Sequence, residues 1–348
     1  MTVHIPQYYS DFRCLAGACP HTCCQGWEVP IDHATAQYYE SLPGSMGERL
    51  RSALSRDEMG EAAFRLRGGL CPFLNGDGLC EIYIQLGEER TGEICRTHPR
   101  FTYEYGPLTE KGLCGSCPET VRLILGSDMT LLTTQEEGIG EETPELLKPL
   151  LRARETAISL FDREGTSMGE RLQALLLFAN EVQVLLDEGQ EEALPRLCEI
   201  YEEEFPLLDP AALPQGGEAL RRCFEALEGC EILNREWREL LKQGKKKAAR
   251  PKGPDSQTEL QARRAGVYFL YRHWLRAAWD GDILSWAEFA ALGTAVVTLL
   301  AQLQEEGFPH VFRLFCEELE HNRENLDRLQ TVFQEQLTLA QLLAAVGG

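Results

Sequence analysis

Nine of the chain's thirteen cysteines fall before residue 118, at Cys14, Cys19, Cys23, Cys24, Cys71, Cys80, Cys95, Cys114 and Cys117. Core filling does not call for thiols gathered at turns, so the set points to metal or cluster ligation rather than to nine small hydrophobes. An odd total also rules out complete disulfide pairing. The opening MTVHIPQYYSDFRC lacks a basic stretch followed by an apolar one, so no secretory signal is read there. The expectation is a cytoplasmic chain with reduced thiols. Cys198, Cys223, Cys230 and Cys316 sit inside helical patterns and read as buried side chains.

The spacing suggests how thiols could converge. Cys19 and Cys23 are four apart, which puts both on one side of a helical turn. Cys24 follows directly and points elsewhere, so it serves either the surroundings of one cluster or a second metal. Residues 70–84, LCPFLNGDGLCEIYI, read as a β-hairpin around Asn75-Gly76-Asp77-Gly78. With the turn centred between Gly76 and Asp77, Phe73 pairs with Cys80, and Cys71 faces the same side; a slip of one residue would separate the thiols. Cys95 lies in EICRTHPR, and Cys114 with Cys117 forms a CxxC. The set exceeds what one tetrahedral zinc needs. It suits one iron–sulfur cluster with spare thiols, or two small metal sites.

The rest of the chain reads as mainly α. A small cysteine-rich domain with a short β-hairpin (1–130) is followed by a helical domain (131–348). Pro30-Ile31-Asp32 starts a helical stretch over 34–57, broken near Pro43-Gly44. Apolar residues at three- and four-residue spacing predict helices over 145–162, 167–188, 191–204, 218–243, 258–279, 284–305 and 309–333. Residues 242–257 hold five Lys and one Arg among Gly and Pro, and read as a mobile basic loop. The chain carries 34 basic and 55 acidic residues, a net of −21, which disfavours nucleic acid and anionic lipid as partners. No stretch reads as long and apolar enough to span a bilayer. A CxxxCxxC motif, a P-loop and a GxSxG elbow are all missing, and GIG at Gly138–Gly140 is too short for a dinucleotide fingerprint.

Several ordered motifs carry a resemblance: YSDFRCLAGACPHTCCQGWEVPID, CPFLNGDGLCEIYIQLGEE, CRTHPR, CPETVRLIL, YFLYRHWLRAAWDGD and FCEELEHNRENLDRL. Together they resemble the flagellin lysine-N-methylase (FliB) family. The cysteine-rich part is also similar to the wider YkgJ group of zinc- or iron-chelating domains. The resemblance implies S-adenosylmethionine-dependent methylation of lysine ε-amines on flagellin, with a [4Fe–4S] cluster, or zinc as the alternative. The family's cysteines carry over onto Cys14, Cys19, Cys23, Cys24, Cys71, Cys80, Cys95 and Cys117. Cys114 is an additional thiol, and Cys316 stands where the family pattern is expected to have serine.

A lysine amine attacks only when neutral, and its unperturbed pKa is about 10.4. A methylase must therefore help remove a proton and align the amine. Phe312, Phe315, Leu319, Asn322, Leu326, Leu329 and Phe333 form one apolar seam, interrupted by Asn322. Glu317, Glu320, His321 and Glu324 make an acidic stripe beside it. Glu320, His321 and Asn325 are the catalytic candidates; the alternative is a satisfied amide beside a solvated charged face. Tyr268, Tyr271, His273 and Trp274 serve as packing or as pocket wall. The competing functional class is a non-enzymatic iron–sulfur or zinc protein, redox-responsive or partner-binding.

Overall fold

The computed structural model describes residues 1–136, 142–248 and 253–347. Its first part runs β1 (Thr2–Pro6), β2 (Pro30–Ile31), α1 (His33–Ser41), α2 (Gly44–Ala53), β3 (Leu54–Arg56) and β4 (Ala62–Phe64). It continues with α3 (Glu81–Leu86), α4 (Glu93–Thr97), β5 (Arg100–Tyr105), β6 (Leu108–Leu113), α5 (Pro118–Gly126) and β7 (Leu131–Gln135). The helical part holds α6 (Leu147–Ser159), α7 (Met168–Asp187), α8 (Leu194–Glu203), α9 (Gly216–Glu228), α10 (Arg235–Lys247) and α11 (Ser256–His273). It ends with α12 (Ala277–Asp280), α13 (Ile283–Ala301), α14 (Gly307–Phe315), α15 (Arg323–Glu335) and α16 (Leu339–Val346). The fold is mainly α, as the periodicity predicts.

Local chemistry sets many of the helix starts. Asp32 caps α1 through the Thr35 N–H at 2.9 Å, and its other oxygen accepts from the Glu93 N–H at 2.9 Å, tying α1 to α4. Ser167 and Glu170 form a reciprocal capping box on α7. Asp255, Asp282 and Asn322 cap α11, α13 and α15 in the same way.

Two apolar cores result. The smaller is built from Ile31, Ala36, Tyr39, Leu50, Phe64, Phe73 and Ile82, with Cys71 and Cys80 packed against it. The larger centres on α13 and also takes in Tyr8, Phe12, Tyr105, Leu108 and Leu113 from the N-terminal part. A four-stranded sheet in the order β5-β6-β1-β7 lies beside it, with β1 parallel to β6 and antiparallel to β7. The sheet is tied to α6 by a buried fork: Arg154 donates to both oxygens of Glu110 at 2.9 and 2.6 Å.

The structure corrects several expectations. Residues 70–84 are not a hairpin. Only isolated bridges form there, Leu74 rather than Phe73 opposes Cys80, and residues from Glu81 on wind into α3. Asn75 side-chain bonds to the N–H groups of Asp77 and Leu79 close the turn locally instead of extending a ladder. The short hairpins of this region are β3–β4, joined across 57–61, and β5–β6, joined at Gly106-Pro107. The single helix expected over 218–243 is two, α9 and α10, because Asn234 caps a new start. The one expected over 309–333 is α14, a π-helical segment Cys316–Glu320, and α15. Asn322 therefore begins a helix instead of interrupting one. Of the basic 242–257 loop, residues to Lys247 are helical, and 249–252 lie outside the described residues, as does Gly138–Gly140. One helix, α13, is after all long and apolar enough to cross a membrane, but 89% of its apolar window is buried inside the protein, as befits a central core helix.

Candidate active site and thiol groups

The turn 114–117 joins β6 to α5 and meets the helical part. The Cys114 N–H bonds to the Pro99 carbonyl at 2.8 Å, and Thr120 Oγ1 donates to the Cys117 carbonyl at 2.8 Å. Gly115 N–H donates to the Tyr268 hydroxyl of α11 at 2.8 Å. A Cβ at Gly115 would stand 2.5 Å from Cys316 Sγ, so only glycine permits this close approach. Ser116 Oγ lies 2.9 Å from His321 Nε2 and 3.1 Å from Cys114 Sγ. The turn is thus clamped to α11 and to the residue just after the π segment.

The π segment is the only one among the described residues, and such segments often mark functional sites. Its wider turn sends three carboxylates inward in different directions. Glu320 is fully buried: its Oε1 lies 2.8 Å from His273 Nε2 and 3.2 Å from Arg272 Nε, and its Oε2 accepts from the Tyr268 hydroxyl at 2.8 Å. Arg272 in turn donates to that hydroxyl at 3.1 Å. Burial would raise the Glu320 carboxyl, but the Arg272 charge and the His273 hydrogen bond overcome it and hold the group at about 2. Burial brings His273 down to about 4, so it is neutral and donates Nε2–H to the carboxylate. Glu318 accepts from the N–H groups of Leu233 and Asn234 at 2.9 and 2.6 Å. Glu317 pairs with Arg313 and with His21 Nε2, the latter at 3.2 Å.

His321 stands at the edge of this network, facing the cysteine-rich part. Its ring is 5.4 Å from Trp27 and 6.2 Å from His98, and Trp27 and His98 are 6.4 Å apart. Trp27 Nε1 donates to the Cys23 carbonyl at 2.9 Å. His321 is exposed to solvent. Yet the surrounding protein, with Arg272 behind it, pushes its imidazole down to about 3, and desolvation brings His98 to about 4. The recess is the space bordered by these three rings, with His321 exposed and His98 half-buried. Among the described residues, His98 Nε2 is buried without a hydrogen-bond partner.

The thiols gather beside the recess in two groups. The segment after Cys23 is held to residues 69–71: Gly26 N–H bonds to Gly69 O at 2.9 Å, and Cys71 N–H to Cys24 O at 2.8 Å. Cys71, Cys80 and Cys95 all feel the charge of Cys24. Burial pushes Cys71 to about 11 and Cys95 to about 12. The neighbouring Cys23 feels Cys14 and Cys117 instead, and Cys117 feels Cys19. Its hydrogen bond to Cys24 raises Cys23 and lowers Cys24 to about 7. Among the described residues, no three His, Cys, Asp or Glu side chains are closed around one point as a metal requires. In kind and number the donors suit a thiolate-bound group, which Cys24, Cys71, Cys80 and Cys95 would hold.

The structure therefore brings Glu320 and His321 into one network and leaves Asn325 apart. Asn325 is buried; its Oδ1 accepts from Glu231 N–H, and its Nδ2 donates to the carbonyls of Glu231 and Glu318 at 2.9 and 3.0 Å, which fills the amide. The acidic stripe is only half a solvated face: Glu317 and Glu320 are buried, while His321 and Glu324 are exposed. Tyr271 and Trp274 bind backbone carbonyls, at Lys111 and Leu150, while Tyr268 and His273 join Glu320. Sequence reasoning missed Arg272, Ser116, Trp27 and His98. Arg272, a charge inside the otherwise apolar run 265–275, was the available signal; nothing local marked the other three.

A mainly helical chain with a thiol-rich flank and a buried carboxylate–imidazole network fits an enzyme. Residues 154–345 match the family model of the FliB lysine N-methylase C-terminal domain, and the chain belongs to that family. It is similar to the lysine-N-methylases of Salmonella choleraesuis (strain SC-B67) and Salmonella typhimurium (strain LT2), each 26% identical over 239 residues, covering 66% of this chain and 54% of theirs. It is also similar to the flagellar biosynthetic protein FliU of Salmonella muenchen, 28% identical over 131 residues, covering 36% of this chain and 78% of that one. The chain thus spans about half the length of the lysine-N-methylases it matches. No solved structure matches it.

Proposed function

We propose that this chain methylates lysine ε-amines, with S-adenosylmethionine as donor and flagellin as substrate, in the recess formed by Trp27, His98 and His321. The observation that carries the reading is the accessible, neutral His321 at the edge of the buried Glu320 network, in a chain of the lysine N-methylase family. S-adenosylmethionine supplies an electrophilic methyl group when bound. The ammonium must first lose a proton to solvent, and the neutral His321 ring, which burial keeps from holding that proton itself, can then accept a hydrogen bond from the neutral amine and align it. The indole face of Trp27 favours a cation or sulfonium beside it. Ionised Glu317, held by Arg313 and His21, adds negative charge at the rim. Behind these groups, Glu320, Arg272 and Tyr268 fix the 114–117 turn and with it Ser116, the hydrogen-bond partner of His321.

The thiols are proposed to hold a [4Fe–4S] cluster, with zinc the alternative, that orders the recess wall carrying Trp27. In anaerobic preparations, Cys24→Ser and Cys71→Ser should each lower iron and sulfide, or zinc, to less than about half of the parent content. Cys223→Ser, buried in α9, should leave metal content unchanged. Equal content in all three would remove the basis for the Cys24 group. The activity itself is tested by incubating the protein with S-adenosylmethionine and flagellin and weighing flagellin peptides. Lysine peptides gaining multiples of roughly 14 Da are expected; unmodified lysines from metal-replete protein would refute the assignment.

A further inference from the structure

A second recess lies away from the thiols, where the end of α7, the turn between α12 and α13, and the junction of α15 with α16 meet. It is an open groove of about 630 Å³ with Leu284, Phe333, Leu337 and Leu339 among its lining residues. Five carboxylates line it, Asp187, Asp280, Asp282, Glu288 and Glu335, and no Lys, Arg or His does. Three of them are engaged in holding the walls, Asp187 by accepting from Gln183 Nε2 at 2.9 Å. Asp280 accepts from Trp286 Nε1 at 3.0 Å, while Asp282 caps α13 and accepts from Gln334 Nε2 at 2.7 Å.

Glu288 differs. It sits on the apolar core helix α13, is only 4% exposed, and has no hydrogen bond or ion pair among the described residues. A buried carboxyl without a partner is costly, and a protein tolerates it by keeping the proton or by supplying a counter-charge. Burial and the neighbouring Asp282 push Glu288 up to about 8. Among the described residues no cation lines the groove, although the nearby Arg276 acts on Asp280, and no three of the acids are placed to hold a metal ion.

We propose that this groove binds an aliphatic ammonium, with Glu288 as the anchoring carboxylate and Asp187, Asp280 and Glu335 flanking it. Carboxylates set on separate elements around an apolar floor suit a methylene chain bearing point charges, which is the chemistry of a polyamine or of a lysine side chain on a polypeptide. The groove is distinct from the Trp27–His98–His321 recess. It lies on the far side of Trp286, whose ring stacks on His273 at 5.6 Å. The inference does not depend on methyl transfer.

Calorimetric titration of the full chain at fixed ionic strength, with spermidine and with a short lysine-containing peptide, tests it. Saturable binding is expected, weakened at least tenfold by Glu288→Gln, a near-isosteric change whose folding is checked by its melting curve. The tighter of the two ligands identifies the natural source. Wild-type protein gives an independent readout. Near pH 7, binding should release up to one proton, seen as a dependence of the heat on buffer ionisation. The groups facing Glu288 are Asp187 from α7, Asp280 and Asp282 from the turn, Glu335 from α15 and the Cys223 thiol from α9. Of these, Glu288 is the carboxyl that burial and Asp282 push up to about 8, so it is the source of the released proton. Absence of saturable binding, equal affinity in Glu288→Gln, equal competition by magnesium, or tighter binding of an arginine peptide would each overturn the proposal.

Discussion

Replacing Glu320 by glutamine should lower the melting temperature by roughly 10 °C. The carboxylate is fully buried and neutralises Arg272, itself buried, while accepting from Tyr268 and His273. Removing one member of a buried ion pair leaves the other charge uncompensated, at a cost of about 3–5 kcal/mol. At about 2–4 °C per kcal/mol for a domain of this size class, the shift follows. The same pair sets an acid limb. The folded Glu320 is held at about 2, below the roughly 4.3 of an unfolded glutamate. Its contribution is therefore fully present above about pH 4.3 and is lost as pH falls through 2. Thermal melts of parent and Glu320→Gln protein should converge toward pH 2. A mutant that melts within a degree or two of the parent at pH 7 would mean that Arg272 finds another counter-charge.

Changing His321 to alanine should have the opposite profile. The ring is exposed and makes one side-chain hydrogen bond, to Ser116, so stability should fall by no more than about 1 kcal/mol. Lysine methylation should fall by roughly 100-fold, the scale for losing a group that aligns the attacking amine. Because His321 is held at about 3, it stays neutral between pH 5 and 9. The parent's activity should therefore rise with pH through the titration of the substrate amine, with no inflection from His321 itself. Rates within threefold of the parent would mean that another residue aligns the amine, with His98 the next residue to change.

The two outcomes separate scaffold from chemistry within a stretch of two residues. Glu320 is built into the packing of α11 against the π segment, whereas His321 is presented to the recess. A sequence motif that contains both cannot distinguish them. In a regular helix, adjacent side chains differ by a fixed rotation, but the π turn alters that rotation, so Glu317 and Glu320 turn inward where a solvated stripe was expected.

Much of the helical architecture could be read from apolar spacing, because each amphipathic helix records locally which face it buries. Breaks were harder. Asn234 and Asn322 look like ordinary polar residues inside continuous patterns, and their roles as caps depend on the backbone leaving the helix at that point. The 70–84 segment carried a strong turn signal, but that signal specifies only the reversal. Whether the flanks pair as strands depends on what they pack against, and here Ile82 is drawn into the small core as part of α3.

The sequence by itself determined that the thiols are concentrated in the first third, that the remainder is helical, and that the chain carries the motifs of the FliB family. These are properties of composition, period and order along the chain. Only the tertiary structure decided that Cys24 comes near Cys71, Cys80 and Cys95, and that Trp27, His98 and His321 come together. It alone placed Arg272 against Glu320 and left Glu288 buried without a counter-charge. The physical reason is distance along the chain. Periodicity reports that a side chain is buried, but the partner that balances its charge comes from another element, and packing alone chooses it.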